Sequence, residues 1–94
     1  MKINVYSDPG HAWAKIKKST LAKLGIADKI TTCSYMRGDY AYIWAGYQNG
    51  KLEADCDLST LVLALRAAGV PFEFNEHVAR FKQSKIRNYD YYKA

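Results

Sequence analysis

Polar and apolar residues alternate in several short stretches of this 94-residue chain, with the period of two that is typical of β-strands. Residues 2–6 (KINVY) and residues 11–16 (HAWAKI) both alternate, and a Ser-Asp-Pro-Gly sequence of strong turn-forming residues separates them. We therefore predict an N-terminal hairpin whose second strand carries His11, Trp13 and Lys15 on one face.

Three more strands are predicted in the middle of the chain, where β-branched and aromatic residues are frequent. Residues 31–36 and 40–47 have this composition, with an Arg-Gly-Asp turn expected at 37–39. The Asn-Gly pair at 49–50 favours a type I′ turn, so residues 51–55 are expected to pair back onto the preceding strand.

A short first helix is predicted between the hairpin and the central strands. Ser19 or Thr20 would cap its start, and Gly25 would end it just after Leu24. Ile26 follows at the position where a hydrophobic contact accompanies such a helix end.

The second helix has the strongest periodicity in the chain. We expect Asp57 to cap it and Gly69 to end it, with an i, i+3, i+4, i+7 apolar stripe on Leu58, Leu61, Val62 and Leu65.

A last strand over residues 72–77 completes the predicted fold after the Val-Pro break at 70–71, while the tail over 79–94 has no clean periodicity. The resulting order is β-β-α-β-β-β-α-β. It predicts an α+β two-layer sandwich with a mostly antiparallel sheet of about five to six strands and two helices. A mass of 10.7 kDa leaves room for only one core, so residues 1–94 are expected to form a single domain.

The formal net charge of +5 is unevenly distributed along the chain. Residues 1–50 carry seven Lys or Arg against three acids, which gives +4, and residues 77–94 carry five against one, which also gives +4. Residues 51–76 carry two against five, which gives −3. Two basic segments therefore flank an acidic one, which favours an anionic partner, although small proteins also carry extra lysines for solubility.

The most unusual residue combination lies in and after the N-terminal turn, at Asp8, Gly10, His11, Trp13 and Lys15. A glycine turn exposes backbone N–H groups, while His, Trp and Lys can hydrogen-bond, stack and neutralise charge. These groups suit a planar, anionic ligand such as a nucleotide. The alternative is a tight hairpin in which Trp13 is a core anchor and His11 a surface residue.

The C-terminal tail, basic and rich in Tyr, alternates cationic with aromatic side chains. Here Lys82, Lys85, Arg87 and Tyr89, together with Arg37, could supply charge and stacking to a nucleotide, RNA or single-stranded DNA. The same composition also fits a solvated tail, because no recognised RNA-binding motif is present.

Neither a metal site nor a catalytic set stands out in the sequence, so we expect no cofactor and no enzymatic activity. Cys33 and Cys56 lack the close spacing of zinc ligands, and with no signal peptide they are expected to be reduced core thiols. Cys56, His77 and an aspartate at 8, 55 or 57 could be combined into a cysteine hydrolase, the less favoured alternative. No apolar run is long enough for a membrane span.

At residues 6–15 the motif Y-S-D-P-G-H-x-W-x-K resembles a group of small uncharacterised bacteriophage proteins. Further similarities lie at residues 24–26, 34–39, 55–58 and 84–87, and the hairpin at 46–52 resembles a local extension relative to that group. The resemblance implies a phage or prophage origin and a location in the cytoplasm of the bacterial host. It implies no catalytic residues.

Together these features predict a non-enzymatic phage protein that counters host defence by sequestering an anionic nucleotide-type ligand. A chain this short has little space for an internal pocket, so the site is expected between subunits of a homo-oligomer. The alternatives are a nucleic-acid-binding module that uses the same residues on an open surface, and an inhibitor that binds a host defence complex directly.

Overall fold

The structure, a computed structural model, describes residues 1–8, 10–48, 51–54, 56–78 and 85–94, without the side chain of Lys85. It contains seven strands, two α-helices and a short 3-10 turn near the C-terminus. In chain order the elements are β1 (Lys2–Ser7), β2 (His11–Lys17), α1 (Lys18–Lys23), β3 (Tyr35–Arg37), β4 (Tyr40–Gln48), β5 (Lys51–Glu53), α2 (Cys56–Ala67), β6 (Glu73–Val78), the 3-10 turn (Lys85–Asn88) and β7 (Asp90–Tyr91).

All seven strands belong to one sheet with the order β6-β1-β2-β4-β3-β7, and β5 pairs with β4 beyond the end of β3. Among the described residues, only the β1–β6 pair is parallel, and every other pairing is antiparallel. The predicted α+β class, with two helices and a mostly antiparallel sheet, is therefore confirmed. The 3-10 turn and β7 were not predicted, because the tail has no periodicity of its own.

One face of the sheet carries the main hydrophobic core and both helices. Alternate residues of β1, β2 and β4 point to it because side chains alternate along a strand. The buried residues from these strands are Ile3, Val5, Ala12, Ala14, Ile16, Ala41, Ile43 and Ala45, and those from the helices are Leu21, Leu58, Leu61, Val62 and Leu65. The apolar stripe predicted on the second helix is thus confirmed.

Both helices end at the glycines that the sequence predicts. Gly25 has φ +74° and Gly69 has φ +69°, a left-handed conformation that an L side chain would strain. Beyond Gly25, the Ile26 amide donates to the Leu21 carbonyl, and Ile26 itself joins the core. This is the Schellman arrangement that ends many helices.

The predicted helix starts are wrong. Helix α1 begins at Lys18, and Lys17 precedes it without a side-chain cap, so neither Ser19 nor Thr20 caps it. Asp57 lies inside α2 rather than before it. Its carboxylate accepts from the backbone and hydroxyl of Thr31 and, at 2.6 Å, from the hydroxyl of Ser34.

The same carboxylate explains why the predicted strand over 31–36 is shorter than expected. Residues 31–34 form a turn that donates to Asp57 instead of pairing with β4, so β3 begins only at Tyr35. The predicted return strand is confirmed for Lys51–Glu53 of the expected 51–55, with Gln48 paired to Lys51, while the Asn-Gly pair and Asp55 lie outside the described residues.

Both cysteines are free, but the prediction that they are core thiols is wrong. Cys33 lies in the turn that binds Asp57, Cys56 begins α2, and both are exposed. Within the described ranges, no helix is both long and apolar enough to cross a membrane.

Candidate ligand-binding face

The sheet face opposite the helices is lined with aromatic side chains, and we refer to it as the aromatic face. Two rows of cross-strand neighbours define it. One row is His77, Tyr6, Trp13 and Trp44, and the other is Asn75, Asn4, Lys15, Tyr42, Tyr35 and Tyr91. Residues on these rows alternate with the core residues of the other face, and the segment 86–89 packs onto them through Ile86 and Tyr89.

One end of the aromatic face is fixed by an ion pair between Asp8 and Arg87. The guanidinium donates from Nε to Oδ2 at 2.8 Å and from Nη2 to Oδ1 at 3.0 Å, a bidentate geometry. Asp8 is 1% exposed and Arg87 is 29% exposed. The Asp8 carboxylate also accepts from the amides of Gly10 and His11, so it organises the hairpin turn. The hydrogen bond to Asp8 raises the pKa of the Arg87 guanidinium above its ordinary value.

Arg87 also covers the two rings that follow the turn. Its guanidinium carbon lies 5.2 Å from the centre of the Trp13 ring, and its Nη2 lies 2.7 Å from Nδ1 of His11. With Ile86 in the same cluster, Trp13 is only 1% exposed. The indole N–H of Trp13 is buried and has no acceptor among the described residues. Trp13 is therefore a core anchor of this face, as in the alternative that the sequence left open, but His11 is half-buried against Arg87 and is not the surface residue of that alternative.

A second cluster surrounds Tyr42 in the middle of the face. Tyr89 meets Tyr42 edge-on with ring centres 5.0 Å apart, and the Arg37 guanidinium lies 5.0 Å from the centre of the Tyr89 ring. Burial raises the pKa of the Tyr42 hydroxyl, and the nearby Tyr89 and Tyr6 hydroxyls raise it further. Tyr42 therefore stays protonated near neutral pH and can donate a hydrogen bond.

The other end of the face is basic. Lys15 lies over the Tyr40 ring with Nζ 4.3 Å from its centre, a cation–π contact. Lys17 on β2 and Arg37 on β3 both lie directly across from Tyr40 on β4. Because the strand rises about 3.3 Å per residue, Lys17 and His11 on β2 lie about 20 Å apart along it. Within the described residues, the face thus runs from cations that form no ion pair at one end to the Asp8–Arg87 pair at the other.

The structure brings together one group of the residues predicted to bind a ligand and places three others, Lys15, Arg37 and Tyr89, elsewhere on the same face. Asp8, Gly10, His11, Trp13 and Arg87 meet at the turn, while Lys15 lies at the basic end and Arg37 contacts Tyr89. Lys82 lies outside the described residues, and Lys85 is described only as the first residue of the 3-10 turn.

Sequence reasoning missed several rings of the face. Tyr6 stacks on His77 with ring centres 5.0 Å apart, and Tyr35 stacks on Tyr91 with ring centres 5.6 Å apart. The ring centres of Trp44 and His11 lie 5.9 Å apart. Tyr40, Tyr42 and Trp44 occupy every second position in β4, which puts three rings on one face. That spacing in the sequence could have predicted part of this set.

The geometry does not support the alternative of a cysteine hydrolase. His77 stacks on Tyr6 and contacts Asn4, Asp57 is bound to Thr31 and Ser34, and Asp8 is bound to Arg87, while Asp55 lies outside the described residues. Within the part of the chain that the structure describes, no group of three or more His, Cys, Asp or Glu could hold a metal ion.

Comparisons with known proteins give no relative from which a function could be inferred. No protein-family model matches the chain, no curated protein matches its sequence, and no solved structure matches its fold. The function has to be inferred from the aromatic face itself.

Proposed function

We propose that this protein binds a nucleotide-type anion on the aromatic face and holds it without converting it. The observation that carries the proposal is that cations and rings share one sheet face, which among the described residues no α-helix covers. Aromatic rings stack on bases, and Lys or Arg beside them can contact the phosphates.

The half-exposed and exposed rings are the stacking surface in this proposal. Trp44, Tyr35 and Tyr40 are partly accessible, and Tyr91 is 64% exposed. Trp13 and Tyr42 are buried below them and support the surface rather than contact the ligand.

Arg37 and Lys15 are the cations of the proposed site. Within the described residues, the only ion pair is that between Arg87 and Asp8, so neither Arg37 nor Lys15 forms an ion pair there. Arg87 has a different role, because its charge is balanced by Asp8, and it holds the segment 86–89 on the sheet.

The biological setting that we propose is sequestration of a signalling nucleotide during phage infection, which would counter a host defence. Its support is the resemblance of residues 6–15 to small phage proteins, together with a net charge of +5 that suits an anionic ligand. A homo-oligomer could enclose the ligand between two such faces. A protein that inhibits a defence complex directly is the alternative for the same setting.

Isothermal titration with a panel of cyclic, linear and ADP-ribose-type nucleotides tests the proposal. Arg37→Gln and Tyr91→Ala should each weaken binding at least fivefold. Their controls on the other layer, Arg66→Gln and the equally exposed Leu63→Ala, should bind as the unmodified protein does. Absence of binding across the panel, or equal losses in the controls, would contradict it.

Single-stranded nucleic acid is the second candidate ligand. The rows of rings repeat every two residues along the strands, about 7 Å apart, and this repetition suits successive bases. Affinity that rises with oligonucleotide length and falls steeply with salt would favour this candidate over a mononucleotide.

A further inference from the structure

The basic end of the aromatic face borders a cleft between two strands that separate from each other, and Ile3, Ile16 and Thr20 line this cleft from the helix side. The pairing of β1 with β2 runs from Ser7–Ala12 to Asn4–Lys15 and ends there. Beyond that point Lys2 pairs with β6, while Lys17 pairs with β4. We call the resulting opening the strand fork.

The strand fork has the size of a small ligand site. Its volume is about 300 Å³, at the lower end of the range for ligand pockets. The lining residues come from β1, β2, α1 and β4. They are Met1, Lys2, Ile3, Asn4, Lys15, Ile16, Lys17, Thr20 and Tyr40.

The lining carries three lysines and no carboxylate. Lys15 is held over Tyr40, and within the described residues no acid forms an ion pair with Lys2, Lys15 or Lys17. Two acids border the neighbouring clefts instead: Glu73 on β6 lies across from Lys2, and Asp39 lines a cleft with Lys17.

Three lysines around one cleft give it a positive potential, which attracts an anion. A single negative charge would leave two of the ammonium groups uncompensated. A ligand with two or more phosphates matches the charge of the cleft, and the hydroxyls of Thr20 and Tyr40 add hydrogen-bond donors.

We infer that the strand fork is the phosphate subsite of this protein and that it takes a chain of at least two phosphates. The inference rests on the proposed function, since it names the part of the aromatic face that contacts the phosphates. Tyr42 pairs with Lys15, and Trp44 follows two positions later on β4, about 7 Å along the strand. A nucleotide with its phosphates in the fork can therefore direct its base towards the rings.

Inorganic tripolyphosphate is the probe that tests the subsite without a base. In isothermal titration, the double variant Lys15→Gln, Lys17→Gln should bind it at least tenfold more weakly than the unmodified protein. The matched control, Lys23→Gln with Lys29→Gln, removes the same charge from exposed positions outside the fork and should stay within twofold. A loss of equal size in the control would overturn the inference, because bulk charge would then explain the binding.

A second variant, Thr20→Glu, keeps every lysine and adds a carboxylate to the lining. It should also weaken tripolyphosphate binding at least tenfold. Retained binding in Thr20→Glu, or no binding of tripolyphosphate to the unmodified protein, would overturn the subsite.

Quenching of tryptophan fluorescence by nucleotides separates this inference from the proposed function. If Arg37→Gln and Tyr91→Ala weaken nucleotide binding but the lysine double variant does not, the subsite and the role of Lys15 are wrong, and nucleotide binding on the rest of the aromatic face stands. If tripolyphosphate binds in the fork and no nucleotide binds, the subsite stands and the proposed function is wrong.

Discussion

The Asp8 carboxylate and the Arg87 guanidinium join the first turn of the chain to its last turn, 79 residues apart. The Asp8 carboxylate also accepts from the Gly10 and His11 amides, so it closes the hairpin turn. Arg87 in turn holds the segment 86–89 over Trp13. The aromatic face therefore depends on a contact between the two ends of the sequence.

Arg87→Ala should lower the free energy of unfolding by about 2 kcal/mol, because it removes two charge-assisted hydrogen bonds from a buried carboxylate. The partial exposure of Arg87 keeps the loss below that of a fully buried pair. Urea denaturation measures it. Arg66→Ala, on the solvent-exposed side of α2, is the matched control and should change stability by less than about 0.5 kcal/mol.

Asp8→Ala should destabilise the protein at least as much as Arg87→Ala, since it also removes the acceptor of the Gly10 and His11 amides. The two losses should not add in the double variant, because both remove the same ion pair. A fully additive double-mutant cycle would show that the contact contributes nothing to stability.

The network around Asp57 gives a separate prediction. The Ser34 hydroxyl donates to Asp57 and accepts from the Trp44 amide at 2.8 Å, and Ser34 is fully buried. Ser34→Ala should therefore cost about 2 kcal/mol, as the amide and the carboxylate each lose a partner. Thermal unfolding beside the exposed control Ser19→Ala measures it, and equal stabilities would contradict the role of this network.

Alkaline pH should destabilise the fold through Tyr92. Burial raises the pKa of its hydroxyl, and the Asp28 and Asp57 carboxylates raise it further. The folded state then binds the proton more tightly than the unfolded state, whose Tyr pKa is about 10. The stabilising contribution is complete below about pH 10 and falls as the pH rises through the folded-state pKa.

Tyr92→Phe tests this dependence, because it removes the titrating group and the hydrogen bond to the Ala27 carbonyl. At pH 7 it should cost about 1 kcal/mol, and the fall in stability between pH 9 and pH 11 should become smaller. Tyr91→Phe, at the exposed neighbouring position, should leave that fall unchanged. An unchanged fall in Tyr92→Phe would contradict the assignment.

Local patterns predicted most of the fold. The alternation in β1, β2 and β4, the apolar stripe of α2 and the glycines at 25 and 69 each determine the structure near themselves, so they can be recognised without tertiary information. The features that failed depend on distant partners. Asp57 was predicted to cap its own helix, but Thr31 and Ser34 bind its carboxylate from 23 to 26 residues away.

The candidate site was only partly predictable for the same reason. Asp8, Gly10, His11 and Trp13 are close in sequence, and the structure keeps them together. The joining of Arg87 to Asp8, and the separation of β1 from β2 that forms the strand fork, depend on the sheet order. No pattern along the chain encodes that order.

An amide and indole NMR titration tests most directly whether the aromatic face binds a nucleotide-type anion. The labelled protein is titrated with the nucleotide of the panel that binds most tightly. Binding on the aromatic face predicts saturable shifts at Lys15, Arg37 and Trp44, and unchanged signals at Leu58, Leu61 and Leu65 on the helix side. No shifts at millimolar nucleotide, or shifts confined to the helix side, would contradict it.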